Sequence, residues 1–137
     1  MKVRVEGRLW QDGDFWVVHI PLLDVSTQGK SFDDALYMAQ DVIESLINKK
    51  GFTVQAIQTS DSTFEIESSD YAVFIAFMLK RQREASGLAL EAVSNKLGQI
   101  SRNTYARYEQ GRGVPTFKQL GKLLEVVSSK EDEDQDG

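Results

Sequence analysis

From residue 71 to residue 127 the apolar residues recur at helical spacing, and glycines cut that pattern into short pieces. The first piece runs through VFIAFMLKRQREA and stops at Ser86-Gly87. The second covers Ala89–Leu97 and stops at Gly98. The third covers about Ser101–Gln110 and stops at Gly111. After Pro115, Thr116 caps a fourth piece, Phe117–Val127. Short amphipathic helices are marginal alone and gain stability by packing their apolar faces together, so this stretch predicts a compact four-helix unit. The longest apolar run, Tyr71–Leu79, is far short of the roughly 20 residues that span a bilayer. Val73–Leu79 is also more apolar than one helix face needs, and reads either as a buried first helix or as a dimer surface.

The front of the chain has a different period. Val3, Val5 and Leu9 alternate with Lys2, Arg4, Glu6 and Arg8, the pattern of a half-buried strand over residues 2–9. Asp12-Gly13 supplies a hairpin turn, Phe15–Ile20 a second strand ended by Pro21, and Val25–Gln28 a short third strand closed by Gly29. Trp10 and Trp16 read as cross-strand packing partners in this hairpin. Ser31 caps a helix with Asp33 and Asp34 in its first turn and apolar residues at Phe32, Ala35, Leu36, Ala39, Val42, Ile43, Leu46 and Ile47. Gly51 is placed to close that helix, and Phe52–Ile57 reads as a strand. The expected fold class is therefore α+β: a β-β-β-α-β module over residues 1–58, a Ser/Thr/Asp-rich linker over 59–70, an all-α unit over 71–127 and a disordered acidic tail over 128–137. Within the linker, Phe64-Glu65-Ile66 reads either as a brief strand or as a partner-binding segment.

Charge follows the same division. The net charge of −5 resolves into a balance of −6 over residues 1–70, +5 over 71–127 and −4 over 128–137. Nucleic acid would choose the basic unit. With no cysteine and His19 as the one histidine, disulfides, thiolate metal sites and cysteine nucleophiles are excluded and zinc by imidazole has no ligand set. Asp12, Asp14, Asp24 and Asp41 read as turn and surface carboxylates rather than a paired-metal centre, and His19 has no nucleophile arrangement around it. These features predict a binding protein rather than an enzyme, with no cofactor and a cytoplasmic location. The start, MKVRVEGRLW, lacks the apolar stretch of a signal peptide.

A glycine-containing turn joining two helices lets the second lie in the major groove of DNA. The second helix supplies Ala92, Val93, Leu97 and the stem of Lys96 to the core; the third, capped by Ser101, turns Tyr105 and Tyr108 inward. Arg102, Asn103 and Arg107 then face solvent or DNA, where arginine forks onto guanine and asparagine pairs with adenine. Ser101 and Thr104 reach phosphates or bases, and Lys96, Arg112 and Lys118 neutralise phosphates. The stretch REASGLALEAVSNKLGQISRNTYARYEQGRGVPTFKQLGKLLEVV resembles the Cro/repressor (XRE-type) helix-turn-helix family. It carries an R-E-A-x-G-L entry, a K-L-G turn, an S-R-x-T-x-x-R-x-E-x-G recognition helix and a P-T-x-x-x-L-x-K-L close. Ala89 and Leu90 stand where that family usually has Thr-Gln, and the turn Gly98-Gln99-Ile100 is one residue longer than usual.

The front module resembles HicB-type antitoxins through Asp12-Gly13-Asp14, Ile20-Pro21, Thr27-Gln28-Gly29 and Asp34-Ala35-Leu36. That resemblance implies a truncated ribonuclease-H-like fold, a HicA-like mRNA-cleaving toxin as partner, self-association into a homodimer or higher oligomer, and repression of the chain's own operon. The acidic front suits a basic toxin on charge alone. Two other readings stay open: a stand-alone helix-turn-helix regulator whose front module senses a small ligand or a protein, and an RNA-cleaving enzyme.

Overall fold

The computed structural model of the chain describes residues 3–97 and 102–128. Lys2, the turn Gly98-Gln99-Ile100, the expected cap Ser101 and the tail from residue 129 onward lie outside the described residues. The chain divides into two compact units that meet in sequence between Tyr71 and Ala72.

In the first unit, β1 (Arg4–Asp12), β2 (Phe15–Ile20), a 3-10 turn (Pro21–Leu23) and β3 (Val25–Gly29) lead into α1 (Phe32–Ile47), followed by β4 (Val54–Gln58) and β5 (Thr63–Ser68). The five strands form one sheet in the order β3-β2-β1-β5-β4, each antiparallel to its neighbour. Side chains alternate between faces. One face buries Val5, Leu9, Val18, Ile20, Val25, Val54, Phe64 and Ile66, together with Ala35, Ala39 and Ile43 of α1. The opposite face carries Arg4, Glu6, Arg8 and Trp10 in the open.

The expected linker over 59–70 is corrected. Residues 63–68 are β5, and they pair with β1 in the interior of the sheet, so the unit is β-β-β-α-β-β. Phe64 and Ile66 point into the core, while Glu65 and Glu67 face outward and receive Arg4 at 3.4 and 3.3 Å. The serines that gave the segment a linker composition build a tight turn: the backbone N–H groups of Thr59 and Ser60 both donate to the Thr63 carbonyl. The two tryptophans are corrected as well. The two-residue turn at Gly13-Asp14 sets a register in which Trp10 faces Val17 and Gln11 faces Trp16. Trp10 therefore lies on the open face, and Trp16 packs edge-on against Phe32 with centroids 5.3 Å apart.

Helix α1 begins as expected, with the Asp34 N–H donating to the Ser31 hydroxyl. It ends earlier than expected. Asn48, not Gly51, takes the left-handed conformation with φ 50° and donates its N–H to the Glu44 carbonyl; asparagine tolerates that region better than most residues. Gly29 is required by close approach, because a Cβ there would overlap the backbone of Asp34 and Ala35 at the start of α1.

In the second unit, α2 (Tyr71–Ala85), α3 (Leu90–Leu97), α4 (Arg102–Glu109) and α5 (Phe117–Val127) follow the glycine-punctuated pattern closely. Thr116 caps α5 in a capping box with Gln119. Phe74, Ile75, Ala76, Met78 and Leu79 of the apolar run are buried within the single chain, which is the buried-helix reading. Leu88, Val93, Leu97, Tyr105, Pro115, Leu120, Leu123 and Val127 are buried as well.

Gly29→Ala is expected to destabilise the first unit by about 1–3 kcal/mol through overpacking against a helix backbone that cannot give way. Both tryptophans lie in that unit. Urea denaturation followed by tryptophan fluorescence therefore measures the loss, and an unshifted midpoint would contradict the close approach.

Candidate nucleic-acid interface

Helix α4 is held by its inward side. Tyr105 is fully buried, and Glu109, one turn further on, accepts a two-pronged hydrogen bond from Arg83 of α2: Nε to Oε2 at 2.6 Å and NH2 to Oε1 at 3.0 Å. The third prong of the guanidinium donates from NH1 to the Leu88 carbonyl at 2.9 Å, just before α3. One arginine thus ties together the end of α2, the approach to α3 and the last turn of α4. The pair is close to dry, with side-chain exposures of 14% and 8%. The hydrogen bond from Arg83 to Glu109 raises the arginine pKa above its ordinary value, so the guanidinium stays charged at any pH at which the protein folds. Burial pushes the Tyr105 hydroxyl far above its usual range, and the Glu109 carboxylate adds to that, so Tyr105 packs as a neutral ring.

The C-terminal end of α4 is closed by backbone alone. Gly111 takes φ +70°, its N–H donates to the Tyr108 carbonyl, and the Arg112 N–H reaches back to the Arg107 carbonyl at 2.9 Å. These are the two bonds of a Schellman closure, which needs a residue at ease in the left-handed region. They also fix where Arg112 leaves the helix.

With Tyr105 and Glu109 inward, the outward side of α4 is determined at about 100° per residue. Asn103, Arg107 and Gln110 fall at i, i+4 and i+7 on one exposed stripe. Arg102 and Thr104 are exposed too, each displaced from that stripe by roughly a quarter turn. Gln110 was missed by the sequence reading, although its i+7 spacing from Asn103 is a legible signal; its amide oxygen accepts from Arg112 NH1 at 3.4 Å. Arg112, Lys118 near the start of α5 and Lys96 in the last turn of α3 are exposed. The exposure of Lys96 corrects the expectation that its stem fills the core: Val93 and Leu97 are the buried residues of α3, with Ala92 half-buried. Tyr108 is half-buried, and Ser101 lies outside the described residues.

The other sequence candidates do not converge. His19 Nδ1 lies 2.9 Å from the Ser26 hydroxyl as a cross-strand pair. Among the described residues no group of three His, Asp or Glu side chains is placed to hold a metal ion. None of the described helices is long and apolar enough to cross a membrane.

A helix-turn-helix family model matches residues 79–133, which takes in the end of α2 and all of α3, α4 and α5. Neither the curated proteins nor the solved structures compared give a match to the chain. The second unit is accordingly a helix-turn-helix module, the structural element of DNA-binding transcription regulators.

Breaking a buried ion pair from one side leaves the other charge stranded, whereas replacing both members with apolar groups of similar volume is often neutral. Glu109→Ala is expected to destabilise the second unit by about 3–5 kcal/mol, and Arg83→Met combined with Glu109→Leu by much less. Far-UV circular dichroism in urea reads the helices of this unit, and tryptophan fluorescence supplies the first unit as an internal reference. Equal losses for the single and double variants would refute the pair's structural role.

Proposed function

We propose that the chain is a DNA-binding transcription regulator that reads duplex DNA with α4, and that it acts as the antitoxin of a HicA/HicB-type pair. The observation that carries the first part is the exposed stripe of Asn103, Arg107 and Gln110 within residues 71–127, whose charge balance is +5 and most of which the helix-turn-helix model matches. Amide and guanidinium groups are the side chains that match base edges in the major groove, and Arg102 and Thr104, exposed to either side of the stripe, are assigned to bases or the backbone. Lys96, Arg112 and Lys118 serve the phosphates, and Ser101, which precedes Arg102 in the sequence, is assigned the same role.

The antitoxin part is supported by the resemblance of the first unit to HicB-type antitoxins and by its balance of −6, which favours a basic RNA-binding partner. The meander β1–β3 with α1 is the portion on which the truncated ribonuclease-H-like reading rests. In this reading the chain has no enzymatic activity or cofactor of its own; it masks a ribonuclease and represses the genes for both.

Selection from a randomised duplex pool tests the DNA reading. Arg107→Ala and Asn103→Ala should each lower specific affinity by about 1–3 kcal/mol and relax the preference at one position. Lys118→Ala should weaken all sequences alike and reduce the salt slope by about 1. Enrichment of no sequence would sink the regulator. Co-purification with the product of the adjacent gene, followed by a ribonuclease assay, tests the rest. A chain that selects DNA but neutralises no neighbouring basic ribonuclease is a regulator and not an antitoxin.

A further inference from the structure

The two edges of the first unit's sheet are finished differently. Backbone N–H and C=O groups alternate sides along a strand. On β4 two of the three outward N–H groups are already taken: Val54 donates to Glu44 Oε2 at 2.9 Å and Ala56 to Gln40 Oε1 at 2.8 Å. Glu44 and Gln40 lie one turn apart on α1, so the helix closes this edge with its own side chains. That is how proteins blunt an edge that would otherwise pair with another chain.

No such cover exists on β3 among the described residues. Leu9 N–H donates to the Ser62 carbonyl, toward β5, so the even-numbered residues of β1 serve β2. Carrying this alternation through the register of β2 and β3 leaves Ser26 and Gln28 with both backbone groups directed away from the sheet. Both residues are exposed. The window is bounded on either side, since the Asp24 N–H is used by the Pro21 carbonyl and the Lys30 N–H by Asp34 Oδ2 at 2.9 Å.

We infer that the β3 edge is a self-association surface, on which β3 of a second copy of this chain pairs antiparallel about a two-fold axis at Thr27. In that register Ser26 stands opposite Gln28 of the second copy and Gln28 opposite its Ser26, so all four open N–H groups meet carbonyls. The segment Asp24-Val25-Ser26-Thr27-Gln28-Gly29-Lys30 is complementary to itself when reversed, because Asp24 of each copy falls at Lys30 of the other. A two-fold interface demands such self-complementarity. A foreign strand would find only a two-residue window bordered by polar side chains, with nothing to select it. The joined sheet has ten strands and outer edges closed by α1 of each copy. This inference is independent of both the DNA and the toxin readings.

The test uses the full chain. It has no cysteine, so Thr27→Cys introduces a single reporter thiol. Antiparallel partners that do not exchange hydrogen bonds lie about 4.5 Å apart at Cα, within the range a disulfide spans. Mild oxidation should give a covalent dimer from Thr27→Cys and leave Gln55→Cys, on the closed β4 edge, reduced. Gln28→Pro removes one outward N–H without touching the β2 ladder, and Lys30→Glu sets like charges opposite one another twice. By sedimentation equilibrium each should raise the dimer dissociation constant about tenfold or more, with unchanged circular dichroism. A Thr27→Cys chain that stays reduced overturns the inference, and so does a dimer that survives Gln28→Pro and Lys30→Glu undiminished.

Discussion

The fork of Arg83 on Glu109 is the contact on which the helical unit depends, because three of its four described helices reach their positions through it. Each helix is too short to be stable alone, α3 and α4 having eight residues apiece. A surface ion pair would add little to such a unit. This one is nearly dry and bidentate, and the third guanidinium nitrogen donates to the Leu88 carbonyl, so each nitrogen of the group has a partner. The cost of desolvating both charges is offset only while all three bonds are made. That makes the arrangement of α2, the entry to α3 and α4 a single cooperative choice. It also sets the rotation of α4 about its axis. With Glu109 and Tyr105 drawn inward, Asn103, Arg107 and Gln110 have no direction left but outward.

The sheet is governed by a different constraint, the exclusion of side-chain volume between β3 and α1. Gly29 lets the helix start against the strand, and Ser31 and Asp34 then fix the first turn, Asp34 also accepting the Lys30 N–H. From that anchored start the helix runs past the far edge, where Gln40 and Glu44 meet β4. One helix therefore does two jobs: it covers the core face and it closes one edge. Because its N-terminal end is committed to the backbone of Lys30, the middle of β3 is left uncovered, and the asymmetry between the edges follows from how a single helix is seated.

Much of this was legible in the sequence, for reasons that differ by element. The helices of the second unit are punctuated by residues whose backbone preference is local, so Gly87, Gly111 and Thr116 marked their ends without any knowledge of the fold. Ser31 and the turn at Gly13 were legible on the same grounds. What failed was long-range. β5 carries only two core residues, Phe64 and Ile66, between glutamates, and only its pairing with β1 shows that this alternation belongs inside the sheet. The tryptophans were misassigned because a one-residue difference in register reverses the face of every side chain. Asn48 displaced Gly51 because asparagine is a weaker marker of the same conformation. Lys96 was assigned to the core by helical spacing, although charge keeps its end in water. On α4 the inward and outward sides were read correctly for Tyr105 and Arg107, since one bulky apolar residue is enough to orient two turns of helix.

The separation of charge gives the two units opposed behaviour toward a polyanion. Residues 1–70, at −6, and residues 128–137, at −4, are repelled by a phosphate backbone, and residues 71–127, at +5, are drawn to it, so nonspecific adhesion of the whole chain is weaker than its basic stretch alone would give. Such an arrangement trades general affinity for discrimination: contacts that need the base edges count for more when the background attraction is low. Under the proposed DNA reading, a single α4 has few side chains to offer and holds DNA weakly. Two readers carried in one particle change that arithmetic, because the second contact is then intramolecular and the two sets of displaced counterions add. If α4 reads DNA as proposed and copies join as inferred, the hold on DNA depends on how many copies are joined, and concentration becomes the variable that sets occupancy.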